Sequence, residues 1–249
     1  MPGHHQLLYA IEVHSVEGIK QYFAGGGTPN DLLPDGMPVF TMMIGMYTRT
    51  PRFKDCIAAF INAGLVFEDK ALLAVLTDDA GKLEEIIKED PDIVNKTYLQ
   101  YNNTYTPLTG GVLLHFCAEY NAVACARVLV KYGADVNAKA AYDINGFGGH
   151  TPIFHTVNQN NNNSIEMLHF LLENHADLSH TVKGLIWGRG YEWETFIPAV
   201  NPISYAMMGL LPMMHRRQDT VAEVVSLLIK YAYEIDYKPP NVPNAYLKK

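Results

Sequence analysis

The side chains able to do chemistry are ten histidines, three cysteines and a scatter of carboxylates, and their spacing decides whether they assemble a site. A zinc hydrolase needs two histidines one helical turn apart with a glutamate beside the first. His150 and His155 bracket a helix start, and His169, His175 and His180 spread over two turns and a loop, so the sequence holds no such pattern. Cys117 and Cys125 fall on two successive helices; a zinc site would need two more ligands, and both stand where small apolar residues pack, so they read as buried thiols. Gly25-Gly26-Gly27 and Gly148-Gly149 lack the lysine and hydroxyl of a phosphate-binding loop, and no Gly-x-Ser-x-Gly elbow is present. Glu192 and Glu194 share one face of an extended stretch, as paired acids sometimes must. Near a hairpin tip they would be solvated, a poor setting for acid–base work. The sequence therefore predicts no catalytic residue, no metal and no cofactor.

Composition narrows the classes further. The chain has 249 residues, 48% of them hydrophobic and 11% aromatic, too apolar for disorder. Its 19 Lys+Arg against 26 Asp+Glu leave a net charge of −7, which argues against binding a nucleic-acid backbone. No stretch approaches the roughly 20 uncharged apolar residues of a membrane span. Met1-Pro-Gly-His-His5 has no basic segment followed by an apolar core, so no signal peptide is expected, and Asn95, Asn102 and Asn162, which fit the glycosylation pattern, carry no weight without a secretion route. Three cysteines without a Cys-x-x-Cys spacing suit reduced thiols in the cytoplasm.

What would have to position a site is a repeated unit: a short apolar helix, a turn, a second apolar helix and an extended loop. The second helices are clearest in Ala126-Arg-Val-Leu-Val-Lys-Tyr-Gly-Ala-Asp-Val-Asn137, Met167 to Ser179, Val225 to Asp236 and Lys82 to Asn95, with weaker copies at Cys56 to Phe67 and Gly18 to Gly26. The first helices are expected at His5–Ile11, Met37–Met43, Asp69–Val75, Val112–Ala118, Thr151–Val157 and Asn201–Met207. Thr151-Pro152 and Asn201-Pro202 place a capping residue before a proline at the first helical position. Gly64 and Gly133 sit where a helix ends with positive φ. One such unit cannot bury its apolar face alone, so the units must stack.

These features resemble the ankyrin repeat family. The resemblance rests on Thr151-Pro152, on His115 in Leu113-Leu-His-Phe-Cys-Ala118 and on Lys131-Tyr-Gly-Ala-Asp-Val-Asn137. It implies an all-α solenoid of about six helix-turn-helix repeats with extended β-hairpin loops between them. The repeats fall near residues 4–36, 37–68, 69–111, 112–150, 151–200 and 201–237, followed by a Pro-rich tail at 238–249. It also implies a structural role for His115, bridging backbone groups of adjacent turns. The family period is about 33 residues, and the spacings here between Asp92, Asp135, Asp177 and Glu234 are longer. Thr106-Pro107 is a decoy, since the register of His115 starts that helix at Val112.

The surplus residues go into loops. Three hairpin fingers are expected: 97–105, with a tight turn at Asn102-Asn103; 138–149, turning at Asn145-Gly146; and 184–197, with Gly188-Arg189-Gly190 at the tip. They should stand roughly 10 Å apart, the spacing of packed helices. Loops inside units at Met46–Lys54, Asn160–Ser164 and Leu211–Gln218 are respectively basic, polar and solvated, and mixed; Met213 and Met214 in the last are expected to cover the final core.

The resemblance implies a non-enzymatic protein-interaction module. The expected contact row is Tyr98, Tyr101, Tyr105, Tyr142, Phe147, Trp187, Arg189, Tyr191, Trp193 and Phe196 on the fingers, residue types that dominate interface hot spots. In the family the concave face also binds, and its positions carried onto this chain are Glu119, Tyr120, Asn158 and Gln159. The partner is expected to be a protein, neutral or basic, with no nucleic acid or membrane. A narrower form, by resemblance to bacterial ankyrin proteins, is an antidote that neutralises a toxin. Two other classes stay open: an enzyme or binder of a small molecule or carbohydrate built on Trp187, Trp193, Arg189, Glu192 and Glu194, and a scaffold with no specific surface.

Overall fold

The computed structural model describes residues 4–101, 105–208 and 216–240. Helices follow one another in pairs: α1 (His4–Glu12) with α2 (Val16–Ala24), α3 (Val39–Gly45) with α4 (Phe53–Asn62), α5 (Lys70–Thr77) with α6 (Ala80–Glu89), and α7 (Leu113–Tyr120) with α8 (Val123–Lys131). Then come a short 3-10 turn (Pro152–His155) with α9 (Ile165–Glu173), strands β1 (Val182–Trp187) and β2 (Thr195–Val200), and α10 (Pro202–Ala206) with α11 (Gln218–Tyr233). First helices pack on first helices, α1 on α3, α5 on α7 and α7 on the 3-10 turn. Second helices pack on second helices, α2 on α4, α6 on α8 and α8 on α9. One apolar cluster runs from Leu7 to Leu228. Helix α7 lies in its middle with all eight residues buried.

Local chemistry accounts for the ends. Ser15, Asp69, Asp79 and Asn201 each accept a backbone N–H of the first turn they precede, satisfying donors that the helix leaves open. Gly64 and Gly133 both have φ of 92° just past α4 and α8, as the C-cap expectation requires. The tight turns join neighbouring units. Asp78, between α5 and α6, accepts the Cys125 amide on α8, and Asn121, between α7 and α8, accepts the Met167 amide on α9. Asn30 and Asn137 repeat one device: each accepts an amide in the next unit (Val66, Asp177) and donates to a carbonyl there (Gly64, His175).

Two expectations need correction. The chain is not all helical, because β1 and β2 pair antiparallel from Val182↔Val200 to Trp187↔Thr195. At Thr151-Pro152 only a 3-10 turn forms, with no capping bond from the threonine side chain; the chain leaves it at Thr156 to enter the long 156–164 loop instead of completing an α-turn. The turn expected at Asn102-Asn103, together with Met213, Met214 and residues 241–249 of the tail, lies outside the described residues. Among the described residues no helix is long and apolar enough to cross a membrane.

Candidate protein-interaction surface

The fingers are joined edge to edge. Tyr98 bridges Gly111 and Tyr142 bridges Gly148; the Ala141 amide donates to Gly110 O and the Gly148 amide to Gly184 O, each at 3.1 Å. The middle finger turns at Asn145-Gly146, with the Asp143 carboxylate accepting the Asn145 and Phe147 amides. Arg189 at the tip of the third finger reaches back to Asp143 at 2.6 Å, locking two fingers together.

This array divides the aromatic row. Tyr142 (56% exposed), Tyr191 (55%), Phe196 (49%) and Trp193 (38%) face solvent, as does Arg189; Tyr105 and Phe147 are half-buried. Tyr98, Tyr101 and Trp187 are buried, a correction to their place in the contact row. Tyr98 and Tyr101 pack edge-on against Phe116 of α7, and Trp187 donates its indole N–H to Tyr205 on α10. These inner rings extend the core into the fingers, and the half-buried Tyr105 lies against both Trp187 and Trp193.

The exposed rings are held against glycines. A Cβ at Gly149 would lie 2.2 Å from the Tyr142 ring, one at Gly184 would lie 2.3 Å from Phe196, and one at Gly188 would lie 2.4 Å from Trp193. Each ring thus rests on bare backbone, where it covers a glycine the strand could not otherwise shield. Phe147 and Phe196 meet across the two fingers at 4.8 Å, and Tyr191 stacks on Trp193 at 5.5 Å. Rings seated this way lose little freedom when a partner covers them, which lowers the cost of binding. Between Tyr142, Leu185 and Arg189 lies a cleft of about 210 Å³.

The four positions carried over to the concave face are all buried: Glu119, Tyr120, Asn158 and Gln159. They are covered by the chain itself. The 46–52 loop between α3 and α4 crosses to α7 in the second pair beyond it and plugs Arg49 into the site, Nε at 2.7 Å from Glu119 and its guanidinium 4.7 Å above the Tyr120 ring. His155 donates Nδ1–H to the other Glu119 oxygen at 2.6 Å, Gln159 donates to the Glu119 and His155 carbonyls, and Asn163 donates to Arg49 O. The Asn160–Ser164 loop is therefore not simply solvated: Ser164 is buried and bonds Gln159. Burial works to raise the Glu119 carboxyl, and Arg49 with His155 overcome it and hold it below the usual range. Asn158 accepts from Arg216, which also donates to the Val157, Ala206 and Met208 carbonyls; burial lowers that guanidinium to about 10.

Outside this strap a cavity of about 440 Å³ opens between Lys54, Asn121 and Glu166, and a groove of about 720 Å³ lies by Leu32, Phe40 and Val66. Sequence reasoning missed Arg49, His155 and Arg216. The local basicity of Met46–Lys54 was the one available signal, and it says nothing of burial.

The imidazoles do structural work. His115 accepts the Val112 amide at Nδ1 and donates Nε2–H to His150 O, the bridge implied by the resemblance; His150 donates to Pro107 O and His180 to Gly149 O. Burial first, then His155, pushes His115 down to about 3, and burial holds His150 well below the ordinary histidine value. Both rings are buried, His150 at the floor of the cleft beside Tyr142 and Leu185. Among the described residues no three of His, Cys, Asp and Glu are placed to hold a metal ion.

The model of the ankyrin repeat family matches residues 110–141, the segment from the end of the first of these fingers through α7 and α8 to the start of the next. The matched segment is similar to an ankyrin repeat and contains the motif residues His115 and Gly133-Ala-Asp-Val-Asn137. No curated protein matches the chain.

Proposed function

We propose that this protein is a non-enzymatic interaction module, an ankyrin-type solenoid of about six units over residues 4–237 that holds a protein partner on its finger edge. Ankyrin repeats generally mediate protein–protein interaction, and the match of residues 110–141 to that family's model supports the reading. The observation that carries the reading is the set of exposed rings of Tyr142, Trp193 and Phe196, each seated on a glycine. Monomeric surfaces seldom keep large aromatics in fixed array without use. The helical side near Glu119 is filled by Arg49 and drops out of the reading. Three buried, unpaired cysteines suit a reducing compartment.

A pull-down from the source lysate compares wild type with Tyr142→Ala/Trp193→Ala/Phe196→Ala, checked by circular dichroism. A protein captured by wild type and lost by the folded variant supports the finger edge. Capture by both places the partner elsewhere and overturns it.

A further inference from the structure

The tip of the third finger combines two features that point to one partner chemistry. Tyr191 and Trp193 form a stacked, exposed pair, their rings 18° from parallel, and the two carboxylates flanking Trp193, Glu192 and Glu194, are exposed. Glu194 is oriented by the Gly190 amide at 2.7 Å. The local cation is engaged elsewhere, because Arg189 turns away to Asp143. Among the described residues no lysine or arginine pairs with Glu192 or Glu194, and none lies over the Tyr191 or Trp193 ring. Trp193 is packed against Tyr191, Tyr105 and the Gly188 backbone, so what stays open is the exposed part of the Tyr191 ring beside the two carboxylates, and among the described residues no cation meets either.

Resting on the finger-edge reading, we propose that this corner seats an arginine side chain of the protein partner. A guanidinium is planar, so it can lie on the exposed part of the Tyr191 ring while its edge meets a carboxylate; an ammonium offers only a point charge. The chain's net charge of −7 would steer a basic segment toward it.

The test uses the full chain labelled with ¹⁵N and titrated with a capped tetra-arginine peptide, reading the two tryptophan indole signals. The Trp193 signal is expected to shift saturably while buried Trp187 stays still. Glu192→Gln/Glu194→Gln should weaken binding about three- to tenfold, and Tyr191→Ala about two- to fivefold, with backbone spectra unchanged outside the tip. Tetra-lysine should bind more weakly and tetra-glutamate not at all. No shift at Trp193, or equal affinity for arginine and lysine peptides, overturns the seat. If the pull-down loses its protein with the triple variant while tetra-arginine leaves Trp193 unmoved, the finger edge stands and the arginine seat falls. If tetra-arginine binds at Trp193 but the triple variant still captures, the seat stands and the finger edge as the partner's main surface falls.

Discussion

The ring of Tyr142 occupies the space in which any side chain at position 149 would begin: a Cβ there would stand 2.2 Å from it, and Gly149 sits at φ +70° besides. An exposed aromatic residue and a buried glycine on one finger are thus a single structural unit, and the same pairing recurs in Phe196 with Gly184 and Trp193 with Gly188.

Gly149→Ala should therefore lose about 1–2 kcal/mol for the left-handed backbone alone, with more from displacing the ring. Urea unfolding measures the loss, and Gly149→Ala/Tyr142→Ala should recover part of it. A double variant no more stable than the single one would separate the glycine from the ring.

Glu119 is held between Arg49 and His155 with its side chain nearly inaccessible. Glu119→Ala leaves the Arg49 charge buried without its carboxylate, a change that costs about 3–5 kcal/mol. Thermal unfolding would show a fall in Tm of many degrees. A fall within the range of ordinary surface substitutions would mean that the strap is not anchored there.

Acid should weaken the fold earlier than a chain without buried histidines. Burial, with Arg49 and Arg52 nearby, lowers His14 to about 4, and His115 is lowered to about 3. The folded values lie below the free value of about 6.5, so between them the unfolded chain binds more protons. Stability is then full above about pH 6.5 and falls as the pH drops toward 4, by up to about 1.4 kcal/mol per pH unit for each such histidine. Urea midpoints at pH 8.5, 7.5 and 5 test it: the first two should agree and the third should be clearly lower, whereas a flat series would contradict the burial of these rings.

Asn137 accepts the Asp177 amide and donates to His175 O, so Asn137→Ala removes two links to the next unit. Each is worth about 0.5–1.5 kcal/mol. Hydrogen exchange should quicken at Asp177 while α7 keeps its protection.

Much of the helical order is legible in the sequence, because it is written in short-range terms: apolar spacing in Ala126–Val130, the Asn201-Pro202 start of α10, the glycines at 64 and 133. The fingers are legible too, through Asn145-Gly146 and the glycines around Arg189. Less legible is which ring faces out. Tyr98 and Tyr142 occupy similar places in their hairpins, and only the neighbour decides: Tyr98 meets Phe116, while Tyr142 meets a glycine. The strap is invisible locally. Nothing near Arg49 says that its partner is seventy residues away at Glu119, so the positions taken from the resemblance as an open face turn out to be plugged.

The central claim, that the finger edge holds a protein partner, is tested most directly by photo-crosslinking in the source cells. Benzoylphenylalanine replaces Tyr142 or Tyr191 in turn, with Tyr231, exposed near the end of α11, as the control position. One protein joined from both finger positions and not from 231 is the predicted result. A protein joined from 231, with nothing from 142 or 191, would contradict it.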